Sequence, residues 1–127
     1  MQSDNPRLLI VEDDVSSQEY YATILDEDYE LELLSEAQEA HEMLGKKEFD
    51  IVIIDISLPG EEDGIGLIHY IRKTLRSSIP ILVVTANAFP QNRVDSLAAG
   101  ANEFLTKPIL AGTLIEALNK LKGSNHG

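Results

Sequence analysis

Three short, almost uninterrupted apolar runs constrain the fold of this chain most strongly. They cover Arg7–Val11, Ile51–Ile54 and residues 81–84, and they are rich in β-branched side chains. Runs of this kind are typical of strands that are buried on both faces, as in a parallel sheet. Glu30–Leu34 alternates in polarity and suits a more exposed strand, and residues 102–105 are a weaker candidate. The sequence therefore predicts five strands.

Segments of helical length lie between these runs, and apolar residues recur in them at every third or fourth position. Two examples are Gly64, Leu67, Ile68, Ile71 and Leu75, and Leu110, Leu114, Leu118 and Leu121. Gly45 and Gly100 stand where helices are expected to end, and Pro90 where one is expected to begin. Regular alternation of strand and helix predicts an α/β fold: a doubly wound, five-stranded parallel sheet with helices on both faces.

The length of 127 residues suits one domain with a single hydrophobic core. We assign the domain to residues 7–123. The polar ends, residues 1–6 and 124–127, are predicted to be flexible.

Composition excludes several classes of function. There is no cysteine, which rules out disulfides and thiolate zinc sites and suits a reducing, cytoplasmic location. A formal net charge of -12 at pH 7 disfavours direct binding to nucleic acid or to anionic membranes. No apolar run approaches the roughly 20 residues that a membrane-spanning helix needs. We therefore expect a cytoplasmic protein whose partners are proteins.

Polar residues of particular types follow the predicted strands. They are Glu12, Asp13 and Asp14 after the first strand, Asp55 after the third, Thr85 after the fourth, and Thr106, Lys107 and Pro108 after the fifth. In doubly wound sheets, ligands bind beyond the carboxyl ends of the strands. Clustered carboxylates repel one another by roughly 4 kcal/mol per pair at about 4 Å and an effective dielectric near 20. Positive charge must therefore lie among them. A hard divalent cation, Mg²⁺ or Mn²⁺, and the Lys107 ammonium are the candidates.

A carboxylate can act as a nucleophile toward a phosphoryl group when charge on the transferred oxygens is neutralised. Asp55 follows a fully apolar strand and is central among the strand ends, whereas Glu12 and Asp13 come from the neighbouring strand. These positions favour Asp55 as the phosphoryl acceptor and the acid pair as metal-holding residues.

Four motifs together resemble the receiver domains of bacterial two-component response regulators, the CheY-like superfamily. They are LLIVEDD at 8–14, IVIIDISLPG at 51–60 with Asp63 and Gly64 following, ILVVTANA at 81–88, and AAGANEFLTKP at 98–108. The resemblance covers nearly the whole chain. It implies a flavodoxin-like sheet of strand order 2-1-3-4-5.

The resemblance also implies roles for individual residues. Asp55 would be the phosphoacceptor, Asp13 and Asp55 direct metal ligands, Ser57 a ligand through its backbone carbonyl, and Glu12 a contact through metal-bound water. Lys107 would hold the phosphoryl group.

Further implied features concern switching. Thr85 and Phe104 would be the switch pair, and the Lys107–Pro108 peptide bond would be cis. Phe104 lacks the hydroxyl of the tyrosine that is frequent there, so it can pack in or out without a hydrogen bond at its tip. The turn at 59–64 is one residue longer than is usual. Asn87 and Ser57 occupy variable positions that tune dephosphorylation.

The function implied is that of a phosphoacceptor in a two-component phosphorelay. The domain would take its phosphoryl group from a histidine kinase or a histidine phosphotransfer protein. It would then change the face formed by the fourth helix, fifth strand and last helix, and so bind a downstream protein target as a monomer or weak dimer. Such a switch is not an enzyme, because it catalyses only its own phosphotransfer and autodephosphorylation.

Other readings remain. The serious alternative is a non-phosphorylated pseudo-receiver that acts as a protein interaction module. A haloacid dehalogenase phosphatase would need a second aspartate where Ser57 stands. An FMN-binding flavodoxin would not place Glu12 and Asp13 where its phosphate loop belongs. His41 and His69 are expected to be exposed on helices, and His126 to lie in a tail.

Overall fold

A computed structural model describes residues 5–124 of the chain. The strands are β1 (Arg7–Val11), β2 (Glu30–Leu34), β3 (Ile51–Ile54), β4 (Ile81–Thr85) and β5 (Glu103–Thr106). The helices are α1 (Val15–Leu25), α2 (Ala37–Leu44), α3 (Gly64–His69), α4 (Pro90–Ala99) and α5 (Ala111–Ser124). A π-helical segment, Tyr70–Thr74, continues α3.

All strand pairs are parallel, and the order of strands in the sheet is β2-β1-β3-β4-β5. The predicted α/β fold, the doubly wound sheet and the strand order are therefore confirmed. β5 lies one residue later than predicted, and β4 extends to Thr85. Val11 stands opposite Ile54 in the register, so β1 and β3 end side by side.

Alternate residues along the central strands face opposite sides of the sheet. One side packs against α2, α3 and α4, and the other against α1 and α5. β3 shows the division most simply, because Val52 and Ile54 belong to the first layer and Ile51 and Ile53 to the second. The buried strands therefore form a rigid base, and residues after their carboxyl ends project from it.

Helix ends follow the local sequence. Asp14 caps α1 and Asp63 caps α3, each accepting a 2.9 Å hydrogen bond from the backbone N–H three residues on. Pro90 begins α4, and Gly100 ends it with a φ of 126° that favours glycine. The expectation that Leu110 belongs to the apolar stripe of α5 was wrong, since it precedes the helix and is 75% exposed.

The predicted flexible ends are described only in part. α5 continues through Ser124, while residues 1–4 and 125–127, including His126, lie outside the described residues. Within residues 5–124, no helix has both the length and the apolar character needed to cross a bilayer.

Candidate functional site

The ends of four strands bring the predicted site residues to one edge of the sheet. Backbone hydrogen bonds continue the pairing just past the strands: Asp55 N–H donates to the Val11 carbonyl at 3.1 Å, and Lys107 N–H donates to the Thr85 carbonyl at 2.9 Å. The register thus places Glu12 and Asp55 next to each other and directs Lys107 toward them. The predicted convergence at this edge follows from strand geometry.

Lys107 joins the two carboxylates. Its Nζ lies 3.0 Å from Asp55 Oδ2 and also donates a hydrogen bond to Glu12 Oε1. The side chains of Glu12 and Asp55 are only 2% and 7% exposed, and that of Lys107 is 19% exposed. Two nearly buried acids therefore share one cation.

Burial and pairing act in opposite directions on these groups. Burial raises the pKa of Glu12, and the hydrogen bonds from Lys107 and the Asp14 N–H offset that rise only in part. Burial alone would lower the pKa of Lys107, but its hydrogen bonds to Glu12 and Asp55 outweigh burial and raise the pKa. Lys107 is therefore a firmly held ammonium.

The other oxygen of Asp55 is held by two donors. Its Oδ1 accepts a 2.8 Å hydrogen bond from the Thr85 hydroxyl and a 2.9 Å bond from the Ser57 N–H. The Thr85 oxygen in turn accepts from the Asn87 N–H at 3.1 Å. Both oxygens of Asp55 thus have partners, and Thr85 is aimed at the carboxylate.

Phe104, the second predicted switch residue, is 4% exposed and packs into the core layer of α2, α3 and α4. Arg93 of α4 covers it: Nη1 donates to the Phe104 carbonyl at 3.2 Å, and the guanidinium carbon lies 5.9 Å from the ring centroid. Arg93 was not singled out from the sequence, because its role depends on how α4 packs beside β5.

The donor set at this edge suits Mg²⁺ or Mn²⁺. Glu12 and Asp55 are buried, and Asp13 and Ser57, which follow them by one and two positions in the chain, are exposed. Across residues 5–124, no three His, Cys, Asp or Glu side chains are grouped closely enough to hold a metal ion. Mg²⁺ does not need such a cage, since it commonly takes one or two carboxylates and keeps several waters.

Backbone packing around Asp55 depends on Gly64. A Cβ built on Gly64 would lie 2.4 Å from the Asp55 carbonyl oxygen and 2.6 Å from the Ile56 Cα, both backbone atoms. The Gly64 N–H also donates to the Ile56 carbonyl at 3.0 Å. The start of α3 is therefore pressed against the backbone at Asp55 and Ile56. Gly64 belongs to one of the sequence motifs, but its contact with the Asp55 backbone could not be predicted from that motif.

An apolar groove of about 610 Å³ opens beside Lys107. It lies between α1 and the loop that follows β5, and the Tyr20 hydroxyl bridges the two by donating to the Ile109 carbonyl at 2.7 Å. The Lys107–Pro108 peptide bond in this loop is cis. The groove is lined by Ser16, Ser17, Tyr20, Tyr21, Ala86, Lys107, Pro108, Ile109 and Leu110.

One histidine differs from expectation. His69 is exposed as predicted, but the side chain of His41 is only 21% exposed and pairs with Glu62. No local sequence signal joins these two residues, which are 21 positions apart.

Comparison with known proteins gives concordant results. Residues 8–119 match the family model described as the response regulator receiver domain. The transcriptional regulatory protein PhoP of Escherichia coli (strain K12) is 34% identical over 122 residues, which cover 95% of this chain and 54% of that protein. The chain thus spans about half the length of the curated relatives it matches.

Solved structures agree with the sequence match. A CheY-like response regulator receiver domain protein from Methanospirillum hungatei JF-1 is 30% identical with a TM-score of 0.90, covering 97% of this chain and 98% of that one. The receiver domain of the sensor histidine kinase PA1611 from Pseudomonas aeruginosa PAO1, described with a magnesium ion coordinated in its active site cleft, is 29% identical with a TM-score of 0.84. That alignment covers 94% of this chain and 98% of that one.

Proposed function

The chain belongs to the response regulator receiver domain family, and on that premise we propose that it is a phosphorylation switch that accepts a phosphoryl group on Asp55. One observation supports the proposal most strongly. Lys107 contacts both Glu12 and Asp55, and Thr85 donates a hydrogen bond to the same aspartate. A cation and a hydroxyl donor thus each lie within hydrogen-bonding distance of the proposed nucleophile, Asp55. These groups supply the nucleophile and part of the electrostatic stabilisation that transfer to a carboxylate requires.

In the proposed reaction, a carboxylate oxygen of Asp55 attacks the phosphorus of a phosphohistidine on the donor. The new O–P bond forms as the P–N bond breaks, and the imidazole nitrogen leaves with the electron pair. Lys107 offers an ammonium to the transferred oxygens, and its pKa, raised by pairing, keeps it protonated at neutral pH. The Thr85 hydroxyl is available as a further donor. Lys107 and Thr85 thus supply binding and charge neutralisation, and Asp55 supplies the nucleophile.

We propose that Mg²⁺, or Mn²⁺ in its place, completes the site. When bound, the ion neutralises charge on the phosphoryl oxygens. Asp13, Asp55 and the Ser57 carbonyl would hold it directly, and Glu12 through water. The hard oxygen donors support this assignment, as does the magnesium described in the Pseudomonas receiver domain.

The donor is proposed to be a histidine kinase or a histidine phosphotransfer protein that docks over the groove beside Lys107. Such a protein must bring its phosphohistidine to Asp55, and the groove lies at the same edge of the sheet. Leu110 of the groove lining is exposed, and so is Val15, which precedes Ser16 of the lining in the chain; both offer apolar surface. Covering it would contribute to binding.

The output surface is proposed to be the face of α4, β5 and α5. Phe89 and Val94 are 72% and 57% exposed at and near the start of α4, and Ile115 of α5 is 41% exposed. Thr85, which donates to Asp55, and the buried Phe104 of β5 would couple this face to the phosphorylated site. The target is proposed to be a downstream protein in the cytoplasm, bound by a monomer or weak dimer.

Phosphoryl uptake tests the proposal. The protein is incubated with Mg²⁺ and acetyl phosphate, and intact mass is followed over time. Wild-type protein should gain one phosphoryl group, Asp55→Asn should gain none, and Asp28→Asn, an exposed aspartate remote from the strand ends, should behave as wild type. Uptake by Asp55→Asn at an unchanged rate contradicts the acceptor assignment, while no uptake by wild type favours the pseudo-receiver alternative.

A further inference from the structure

Three side chains outside the site connect the phosphoacceptor loop, residues 56–63, to two helices. His41 lies on α2, Glu62 near the end of the loop, and Tyr70 at the junction of α3 with its π-helical continuation. We call this set the loop clamp. Nothing in the phosphoryl-transfer chemistry above uses it.

The geometry of the loop clamp is tight on both sides of the imidazole. His41 Nε2 lies 2.7 Å from Glu62 Oε2, and the His41 ring stacks on Tyr70 with 3.6 Å between centroids and 7° between planes. The side chains of His41 and Glu62 are 21% and 34% exposed. A partly buried, short hydrogen bond combined with an aromatic stack is more constraining than a surface ion pair alone.

Two glycines let the loop come this close. A Cβ on Gly66 would lie 2.7 Å from Glu62 Cγ, so the Glu62 side chain passes directly over the first turn of α3. Gly60 turns the loop with a φ of +93°, and a Cβ there would lie 3.1 Å from Oε1 of Glu36, the residue that precedes α2. The loop therefore lies near α2 at two points, Glu36 and His41.

The same loop carries the chain away from Asp55. At its near end Ile56 is 4% exposed, and the Ser57 N–H donates to Asp55 Oδ1. At its far end Asp63 caps α3. Residues 57–61 between them are exposed or half-buried. Leu58 packs against the core layer that includes α2, and Glu62 adds a polar attachment to α2 through His41.

We propose that His41 is a positioning residue for phosphoryl transfer: by holding Glu62, it keeps the loop, and with it the Ser57 carbonyl, in place for Mg²⁺ at Asp55. The inference rests on the proposed function. His41 touches neither the phosphoryl group nor Asp55 and acts through the loop. Its effect should therefore appear in the affinity for Mg²⁺ and in loop mobility, with the chemistry at saturating Mg²⁺ largely retained.

The variants separate the hydrogen bond to Glu62 from the stack on Tyr70. His41→Phe keeps an aromatic ring against Tyr70 and removes the bond to Glu62, Glu62→Gln removes the charge from the other partner, and the two are combined in a double variant. His69→Phe, an exposed histidine on α3, is the matched control. Hydrogen exchange of the amides of residues 57–63 is measured in metal-free protein. The Mg²⁺ dependence of acetyl phosphate uptake gives the apparent KM for Mg²⁺ and the rate at saturation.

We expect His41→Phe to speed exchange in residues 57–63 and to raise the apparent KM for Mg²⁺ about 3- to 10-fold, with less than about a twofold change in the saturated rate. Glu62→Gln should do the same, and the double variant should be no worse than either single one, because both remove one interaction. His69→Phe should match wild type.

Unchanged loop exchange in His41→Phe overturns the inference. So does faster exchange spread evenly over the sheet, which would indicate loss of stability alone, or additive effects in the double variant. If wild-type protein takes up no phosphoryl group at all, the proposed function fails and the positioning role fails with it. The rate of hydrogen exchange in residues 57–63 of His41→Phe would then still show whether the loop clamp holds the loop.

Discussion

Lys107 Nζ lies 3.0 Å from Asp55 Oδ2 although the two residues are 52 positions apart, and the same nitrogen donates to Glu12, 95 positions away. The contact depends on β1, β3 and β5 ending at one edge of the sheet. It pairs two nearly buried carboxylates with the same ammonium. The predictions below follow from this site and from the packing that supports it.

Replacing Lys107 with Met should make stability depend on pH in a defined direction. A Glu12 whose folded pKa is raised by burial favours the folded state when it is protonated, below the ordinary value of 4.5, and this benefit is lost as pH rises through the folded pKa. Without Lys107 the pKa should rise further. Urea unfolding with chelator present should therefore show a larger deficit, relative to wild type, at pH 7 than at pH 5. An equal deficit at both pH values would contradict the pairing argument.

The same variant separates uptake from switching. Since Asp55 and the residues proposed to hold Mg²⁺ remain, Lys107→Met should still take up phosphoryl from acetyl phosphate at a reduced rate, measured by intact mass. The proposed change on the α4, β5 and α5 face should be lost, because the cation that would respond to the phosphoryl group is gone. Amide chemical shifts of residues 90–105 before and after beryllofluoride addition report this. If the Lys107→Met variant shows the same chemical-shift changes as wild type, Lys107 does not couple phosphorylation to this face.

Gly64→Ala should damage both fold and site. Its Cβ would meet the Asp55 carbonyl oxygen at 2.4 Å, and relief of this overlap requires movement of the Asp55 backbone. We expect a loss of about 1–3 kcal/mol in the free energy of unfolding and slower phosphoryl uptake. Gly112→Ala is the control, because nothing lies within 4 Å of its Cβ and alanine in helix α5 should stabilise by about 0.5–1 kcal/mol. Equal stabilities in urea for both variants would refute the close approach.

Ser96→Ala should be neutral or stabilising. The Ser96 side chain is fully buried in α4, and its hydroxyl has no hydrogen-bond partner among residues 5–124. Removing an unsatisfied buried hydroxyl relieves a desolvation cost of about 1 kcal/mol or more. Thermal and urea unfolding measure the change. A loss of more than about 1 kcal/mol would mean that the hydroxyl has a partner, such as an ordered water.

Leu110→Asp should separate donor docking from chemistry. Leu110 is 75% exposed in the groove beside Lys107 but contacts none of the reacting groups. Transfer from a phosphorylated histidine kinase should slow by about tenfold, the expected loss when an apolar side chain that the partner covers is replaced by a charged one. Uptake from acetyl phosphate should be unchanged. Ile115→Asp, an exposed apolar residue outside the groove lining, should not impair transfer. Equal slowing with both donors would place the effect in the site itself.

Local pattern predicted the elements well. β1, β2 and β3 have the predicted bounds, and Pro90 and Gly100 mark the ends of α4. The weaker run at 102–105 was displaced by one residue, because β5 is set by its pairing with β4, where Thr85 stands opposite Thr106. The apolar period predicted for α5 also included Leu110, which lies one residue before the helix. Amphipathic spacing does not define the first residue of a helix.

The sequence by itself determined the parallel sheet and, through it, that Glu12, Asp55, Thr85 and Lys107 end at one edge. Strand burial and the direction of parallel strands leave few other arrangements, and the motifs at those positions narrowed the chemistry. Tertiary structure alone decided that Lys107 contacts both Asp55 and Glu12. It also decided that Gly64 abuts the Asp55 backbone. The contacts of Arg93 with Phe104 and of His41 with Glu62 likewise depend on it. These contacts join elements distant in the chain. Their partners are selected by how helices pack on the sheet, which no local periodicity records.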